Sequence, residues 1–168
     1  PGRARVFCGT MSNDDKAAME DDGPKGSFYR LEIDGSITRL FGDCAIPNGM
    51  GFTGDRNIMY YTESMDYTIY VFDYDERTGE ISNKRPFIET GAGNGLPDGM
   101  TVDANGNLYV ADWGNDRIQK FSASGEYLAT FGDSGDGDGE FYRPSGVAVD
   151  DDGFIYVADW GNERVQVL

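Results

Sequence analysis

An all-β fold built from repeated four-stranded units is predicted by three observations. Pro47-Asn48-Gly49-Met50, Pro97-Asp98-Gly99-Met100 and Pro144-Ser145-Gly146-Val147 share one form and recur at about 47 to 50 residues. Each is followed by short runs rich in Tyr, Val, Ile and Phe, side chains that suit a pleated surface. Between the runs lie Asp34-Gly35, Thr78-Gly79, Asn105-Gly106, Ser124-Gly125 and Asp152-Gly153, pairs that favour tight hairpin turns. Four antiparallel strands per repeat at this period make a β-propeller blade. A helical repeat is excluded, because no window carries a sustained helical apolar face.

The elements follow in order. The first repeat opens on its second strand, Arg5-Val6-Phe7-Cys8-Gly9, and continues through residues 28–33 and 36–40. The second runs from Pro47 through strands at 58–64, 68–73 and 84–88, and the third from Pro97 through 108–113, 117–121 and 127–131. The fourth begins at Pro144 and continues through 155–160 and 164–168. The predicted units are a partial blade at 1–43, blades at 44–93 and 94–141, and a partial blade at 142–168, all in one propeller domain. Unfinished end blades imply a piece of a larger propeller or self-association with another copy, since closed rings avoid open edges.

Composition narrows the chemistry. The 168 residues, 39% apolar and 13% aromatic with 24 Gly, allow one domain with its own core. A net charge of −16 repels phosphate backbones, and Lys84, Arg85, Arg117, Arg143 and Arg164 are scattered, so no nucleic-acid partner is expected. No apolar run is long enough to span a bilayer, so no membrane partner is expected either. No signal peptide is visible, although the chain opens on Pro1 without Met. Cys8 and Cys44 do not make a disulfide framework; Cys8, inside an apolar run, is expected to pack as a small hydrophobe. The compartment stays open, with a soluble cytoplasmic protein as the expectation. Histidine is absent, which removes Ser-His-Asp and Cys-His nucleophiles and His-zinc sites. Catalysis here would run on carboxylates, amides and a hard cation.

The stretch from Arg5 to about Trp113 resembles the SMP-30/gluconolactonase/LRE-like (regucalcin-type) family. The resemblance rests on Gly9-Thr10-Met11, Gly26-Ser27-Phe28-Tyr29, Ile46-Pro47-Asn48-Gly49-Met50 and Phe72-Asp73-Tyr74-Asp75. Thr78-Gly79-Glu80-Ile81-Ser82-Asn83 and Leu96-Pro97-Asp98-Gly99-Met100-Thr101-Val102-Asp103 extend it. It implies a six-bladed propeller with a divalent cation, calcium above all and zinc as the alternative, and hydrolysis of a small-molecule lactone. From about residue 107 to 168 the chain resembles NHL repeats, on Arg143-Pro144-Ser145-Gly146-Val147-Ala148-Val149-Asp150, Ile155-Tyr156-Val157-Ala158-Asp159 and Asn162-Glu163-Arg164-Val165-Gln166-Val167.

The resemblance makes Asn48 and Asp98 metal ligands, and Asp98 the group that polarises the attacking water. Their placement agrees, because both occupy the same point of consecutive innermost strands, and an amide oxygen with a carboxylate suits a hard cation. Asn and Asp between Pro and Gly are also ordinary turn residues. Asp14 falls at the offset of an acidic substrate contact, in a long acidic loop from Ser12 to Lys25 that suits a lid over the channel. A further acidic ligand and an Asn with its Arg neighbour have no counterpart here, so the chain carries half of the family's ligand set. The acidic, Gly-rich run 133–140 reads as an inter-blade loop, lacking EF-hand spacing, and Trp113 and Trp160 are expected to pack between blades. The function expected is a metal-dependent lactonase (ester hydrolase), possessing part of its site. The alternatives are an NHL-like interaction scaffold without catalysis and an engineered propeller fragment.

Overall fold

The computed structural model describes residues 5–12, 23 and 25–168. Strands β1 (Arg5–Gly9), β2 (Gly26–Glu32) and β3 (Ile37–Cys44) form the first sheet. Strands β4 (Pro47–Phe52), β5 (Ile58–Glu63), β6 (Thr68–Asp75) and β7 (Glu80–Glu89) form the second. The third holds β8 (Pro97–Val102), β9 (Leu108–Asp112), β10 (Arg117–Phe121) and β11 (Tyr127–Phe131). A short parallel pair, β12 (Asp133–Ser134) with β13 (Glu140–Phe141), leads into the last sheet of β14 (Pro144–Val149), β15 (Ile155–Asp159) and β16 (Arg164–Val167). Within each sheet neighbours in space are neighbours in sequence and run antiparallel. The propeller pattern holds, with three strands in the first and last sheets and four in the middle two. No helix among the described residues is long and apolar enough to cross a membrane.

The five turn pairs read from the sequence all close hairpins with glycine in the left-handed region: Gly35, Gly79, Gly106, Gly125 and Gly153 have φ between 74° and 91°. That region is costly for residues with a Cβ, which is why Gly follows Asp, Thr, Asn or Ser there.

Alternation along the second strands builds the core. Met59 and Tyr61 of β5 face the first sheet and pack with Phe28, Cys44 and Phe72, while Tyr60 turns the other way to Met100, Leu108 and Val110. In β9, Leu108 and Val110 face the second sheet, and Tyr109 and Ala111 face Phe141, Ile155 and Val157 beyond. Both faces of a middle blade are therefore covered, which explains the nearly continuous apolar runs of β5 and β9.

Second strands β5, β9 and β15 each end on a buried acid. The Asp112 carboxylate accepts hydrogen bonds from the Leu96 N–H at 3.1 Å, Asn115 Nδ2 at 3.0 Å and Arg117 Nε at 2.9 Å. Asp159 accepts from the Tyr142 N–H at 2.8 Å and from Asn162, Arg164 and Gln166. Glu63 does the same for the Ile46 N–H at 2.7 Å, with Tyr61 Oη as its second donor at 2.9 Å. The carboxylate thus holds the connector that enters the innermost strand of its own blade. Burial alone would raise the Asp159 carboxyl, but its four donors outweigh that and hold it below the usual carboxylate range. Glu63 lacks an arginine, and there burial wins and pushes its pKa up.

One expectation is corrected. Residues 133–140 are more than a plain loop: besides the β12–β13 pair, their carbonyls wrap Arg164, which donates to Asp136 O, Gly137 O and Glu140 O at 2.7, 2.7 and 3.0 Å. A guanidinium fills the place a cation would take. Cys8 lies with Val6 on the face of β1 opposite Phe7, which packs on the second sheet. Trp113 is half-buried beneath the Arg143 guanidinium, 4.7 Å from the ring centroid, and Trp160 is 60% exposed.

Replacing Asp112 by Ala leaves the Leu96 N–H and the Arg117 guanidinium without their acceptor. The expected loss is about 2–4 kcal/mol of unfolding free energy in urea titrations, with Asp112→Asn losing less. A change inside about 0.5 kcal/mol would remove the carboxylate from this role.

Candidate metal and lactone site

Innermost strands β4, β8 and β14 begin with the Pro-x-Gly segments, and each is shifted in register just after its proline. The shift lifts the residue after Pro out of the ladder, so Asn48, Asp98 and Ser145 occupy equivalent points. The strands also approach one another closely. A Cβ on Gly49 would lie 2.5 Å from Asp98 O, and one on Gly99 would lie 2.5 Å from Ser145 O. Glycine at these two positions is what lets neighbouring blades crowd their first strands together.

Asn48 and Asp98 are both half-buried on adjacent strands. Asn48 Nδ2 donates to Ser64 Oγ at 2.9 Å, and the buried Ser64 Oγ donates to Pro97 O at 2.6 Å. This chain ties the amide of one blade to the backbone of the next, immediately before Asp98. With its nitrogen engaged, the Asn48 amide keeps Oδ1 as a free acceptor. Ser64 was not anticipated from the sequence; its only local signal is that it follows the acid closing β5. Asp98 has no hydrogen-bond or ion-pair partner among the described residues, and burial pushes its pKa up to about 6.

Two oxygen donors, one held in orientation and one stripped of partners, fit a hard cation. They fit only part of its shell: no group of three or more His, Cys, Asp or Glu side chains capable of holding a metal occurs among the described residues. Ser145, at the third equivalent point, offers a hydroxyl alone. Asp14 lies outside the described residues. A cleft of about 820 Å³ lined by Phe7, Phe52, Arg56, Tyr74, Thr101 and Val102 opens at the other end of β4 and β8, and neither Asn48 nor Asp98 lines it.

Blades packed face to face, with their first strands converging, define a β-propeller protein. The chain belongs to the SMP-30/gluconolactonase/LRE-like family, whose model matches residues 2–132, while the NHL repeat matches 141–168. The family match thus continues through the third blade, past Trp113. Among curated relatives, pentonolactonase XacC of Haloferax volcanii is 42% identical over 127 residues, covering 76% of this chain and 41% of its own. Human regucalcin is 35% identical over 127 residues, covering 75% of this chain and 42% of its own. Among solved structures, a luciferin-regenerating enzyme superposes with a TM-score of 0.78 at 31% identity over 98% of this chain and 54% of that one. A calcium-binding regucalcin from Agrobacterium tumefaciens superposes with a TM-score of 0.75 at 25% identity, over 91% of this chain and 48% of that one. The chain spans about two fifths of the length of these curated relatives and about half of these solved chains.

The isolated Asp98 carboxylate sets a pH dependence. Its folded pKa of about 6 lies above the usual carboxylate value, so the folded chain binds this proton more tightly than the unfolded chain. Stability of the metal-free chain therefore falls as pH rises from about 4 through about 6. Asp98→Asn removes the charge: the variant should match wild type near pH 4 and exceed it at pH 7.5 by about 1–2 kcal/mol once solvent screening of the half-buried group is allowed for. Equal pH profiles in urea unfolding would show that Asp98 is not desolvated.

Proposed function

We propose that this chain carries part of a cation-dependent sugar-lactonase centre, with Asn48 and Asp98 as two of its oxygen ligands. The supporting observation is the pairing itself: a half-buried carboxylate without a partner among the described residues, on the strand next to an amide whose nitrogen is anchored on Ser64. Calcium is the cation proposed, since both donors are oxygen and the chain has no histidine. When bound, the cation supplies Lewis acidity toward the lactone carbonyl and its attacking water. Ser64 keeps the Asn48 oxygen available and prevents the amide from flipping. Asp98, free of hydrogen bonds, has lone pairs both for the cation and for the proton of an approaching water, which makes it the general base. Water attack on the lactone carbonyl opens the ring ester to a hydroxy acid. Among relatives, the pentonolactonase name and the calcium-binding regucalcin title support this reading. Asp14 as a substrate contact is supported by the family resemblance alone.

Calcium titration by calorimetry, followed by hydrolysis of a pentono- or gluconolactone, tests the proposal. Wild type should bind calcium weakly, in keeping with a partial shell. Asp98→Ala should abolish binding, and Ser64→Ala should weaken it several-fold without unfolding the chain. Failure of wild type both to bind calcium and to open a lactone overturns the reading.

A further inference from the structure

Arg143 stands apart from the other described arginines. Seven of those pair with a carboxylate, and Arg39 Nε donates to Ser27 Oγ at 2.9 Å. The Arg143 guanidinium has no hydrogen-bond acceptor and no ion-pair partner among the described residues; its contacts are with aromatic rings. Acids outnumber bases 30 to 14 in this chain, so a cation that meets none of them is unexpected. Its N–H groups form a fork that matches a carboxylate or a phosphate, and the protein uses none of them.

The head of this side chain is nevertheless held in place. It lies over the Trp113 ring at 4.7 Å and the Tyr142 ring at 5.2 Å, and stacking of this kind leaves the donors at the guanidinium edge free. Its backbone is fixed as well: the Arg143 N–H donates to Asp116 Oδ1 at 2.8 Å, and Ser134 Oγ donates to Asp116 Oδ2 at 2.7 Å. Trp113 follows β9 and Arg143 precedes β14, so the stack joins the third sheet to the fourth and reaches back over the third. In the second and third sheets the residue before the proline is Ile46 or Leu96, an aliphatic side chain where Arg143 carries a charge.

The stack sits at the end of the blades where the innermost strands begin. The Trp113 N–H donates to Leu96 O at 3.0 Å, two residues ahead of Asp98, and Arg143 lies two residues ahead of Ser145, the equivalent point of the next strand. Arg143 and Asp98 form no ion pair with each other, so the guanidinium is not spent on the candidate ligand. We infer that Arg143 is the subsite for an anionic substituent, a carboxylate or a phosphate, of the lactone opened at Asn48 and Asp98, an inference that rests on the lactonase reading above. A neutral sugar lactone would leave the guanidinium unused. A net charge of −16 repels acidic ligands at long range, so accepting one requires a fixed local cation, and Arg143 supplies it.

Trp113 emission reads the binding, in a Trp160→Phe background that leaves Trp113 as the remaining one of two tryptophans, with calcium present. The probes are gluconolactone, which is neutral, glucarolactone, which carries a carboxylate, and phosphogluconolactone, which carries a phosphate. An acidic lactone should change the emission and bind at least about 10-fold more tightly than gluconolactone, and the stronger of the two acidic probes identifies the anion. Arg143→Gln should erase that difference and Arg143→Lys should keep part of it. Arg85→Gln, which removes the same charge from a pair with Asp73, should keep all of it. Ring opening of the same lactones separates the two readings: a preference in binding without turnover supports the subsite and overturns the lactonase reading. Turnover with equal affinity for neutral and acidic lactones, or a preference that survives Arg143→Gln, overturns the subsite. Failure to bind any of the lactones overturns both.

Discussion

The buried acid that ends β5, β9 and β15 governs the geometry of what lies nearer the axis in those blades. Glu63, Asp112 and Asp159 sit 3%, 2% and 0% exposed, yet each meets a backbone N–H just ahead of its blade's innermost strand. Burying a charge there is unfavourable unless its lone pairs are filled, and the chain fills them from the turn that follows. Asn115 and Arg117 serve Asp112; Asn162, Arg164 and Gln166 serve Asp159. The innermost strand consequently enters at a fixed height, and so does the residue after its proline.

Asp98 stands one strand away from this saturated set and has the opposite surroundings. Asp112 is filled by donors and structural, whereas Asp98 is partly desolvated and has no side-chain partner among the described residues. Local inconsistency of that sort, kept inside an otherwise consistent fold, is where function is expected. The Ser64 link explains how the two candidate ligands stay coordinated across a blade boundary: its hydroxyl holds Asn48 on one side and Pro97 O on the other. Gly49 and Gly99 add the close approach without which the two strands would be pushed apart.

Much of this was legible in the residues themselves. The Pro-x-Gly starts located the innermost strands, the dipeptide turns located the hairpins, and the family resemblance singled out Asn48 and Asp98. The buried acids were not legible as a class. Asp112 and Asp159 lie in Ala-Asp-Trp-Gly-Asn, where the tryptophan is the more conspicuous residue, and Glu63 has no such setting. Ser64 was hidden for the same reason, since its acceptor, Pro97 O, lies in the next blade. The acidic run at 133–140 reads locally as an inter-blade loop, and nothing within it announces that its carbonyls hold Arg164 of the last strand.

By itself, then, the amino-acid order determined the repeat, the strand and turn boundaries, the family and the positions of two candidate ligands. The repeat and the boundaries depend on the period of alternation and on backbone preferences, which are local, whereas the family and the two candidate ligands rest on the resemblance of its motifs. Only the tertiary structure decided which carboxylate is saturated and which is bare, and which face of a strand is covered. Tyr60 and Tyr61 are adjacent and both buried, but Tyr60 packs with Met100, Leu108 and Val110 of the third sheet and Tyr61 with Phe28 and Cys44 of the first. The neighbours of each come from another blade, and no local window of sequence contains them.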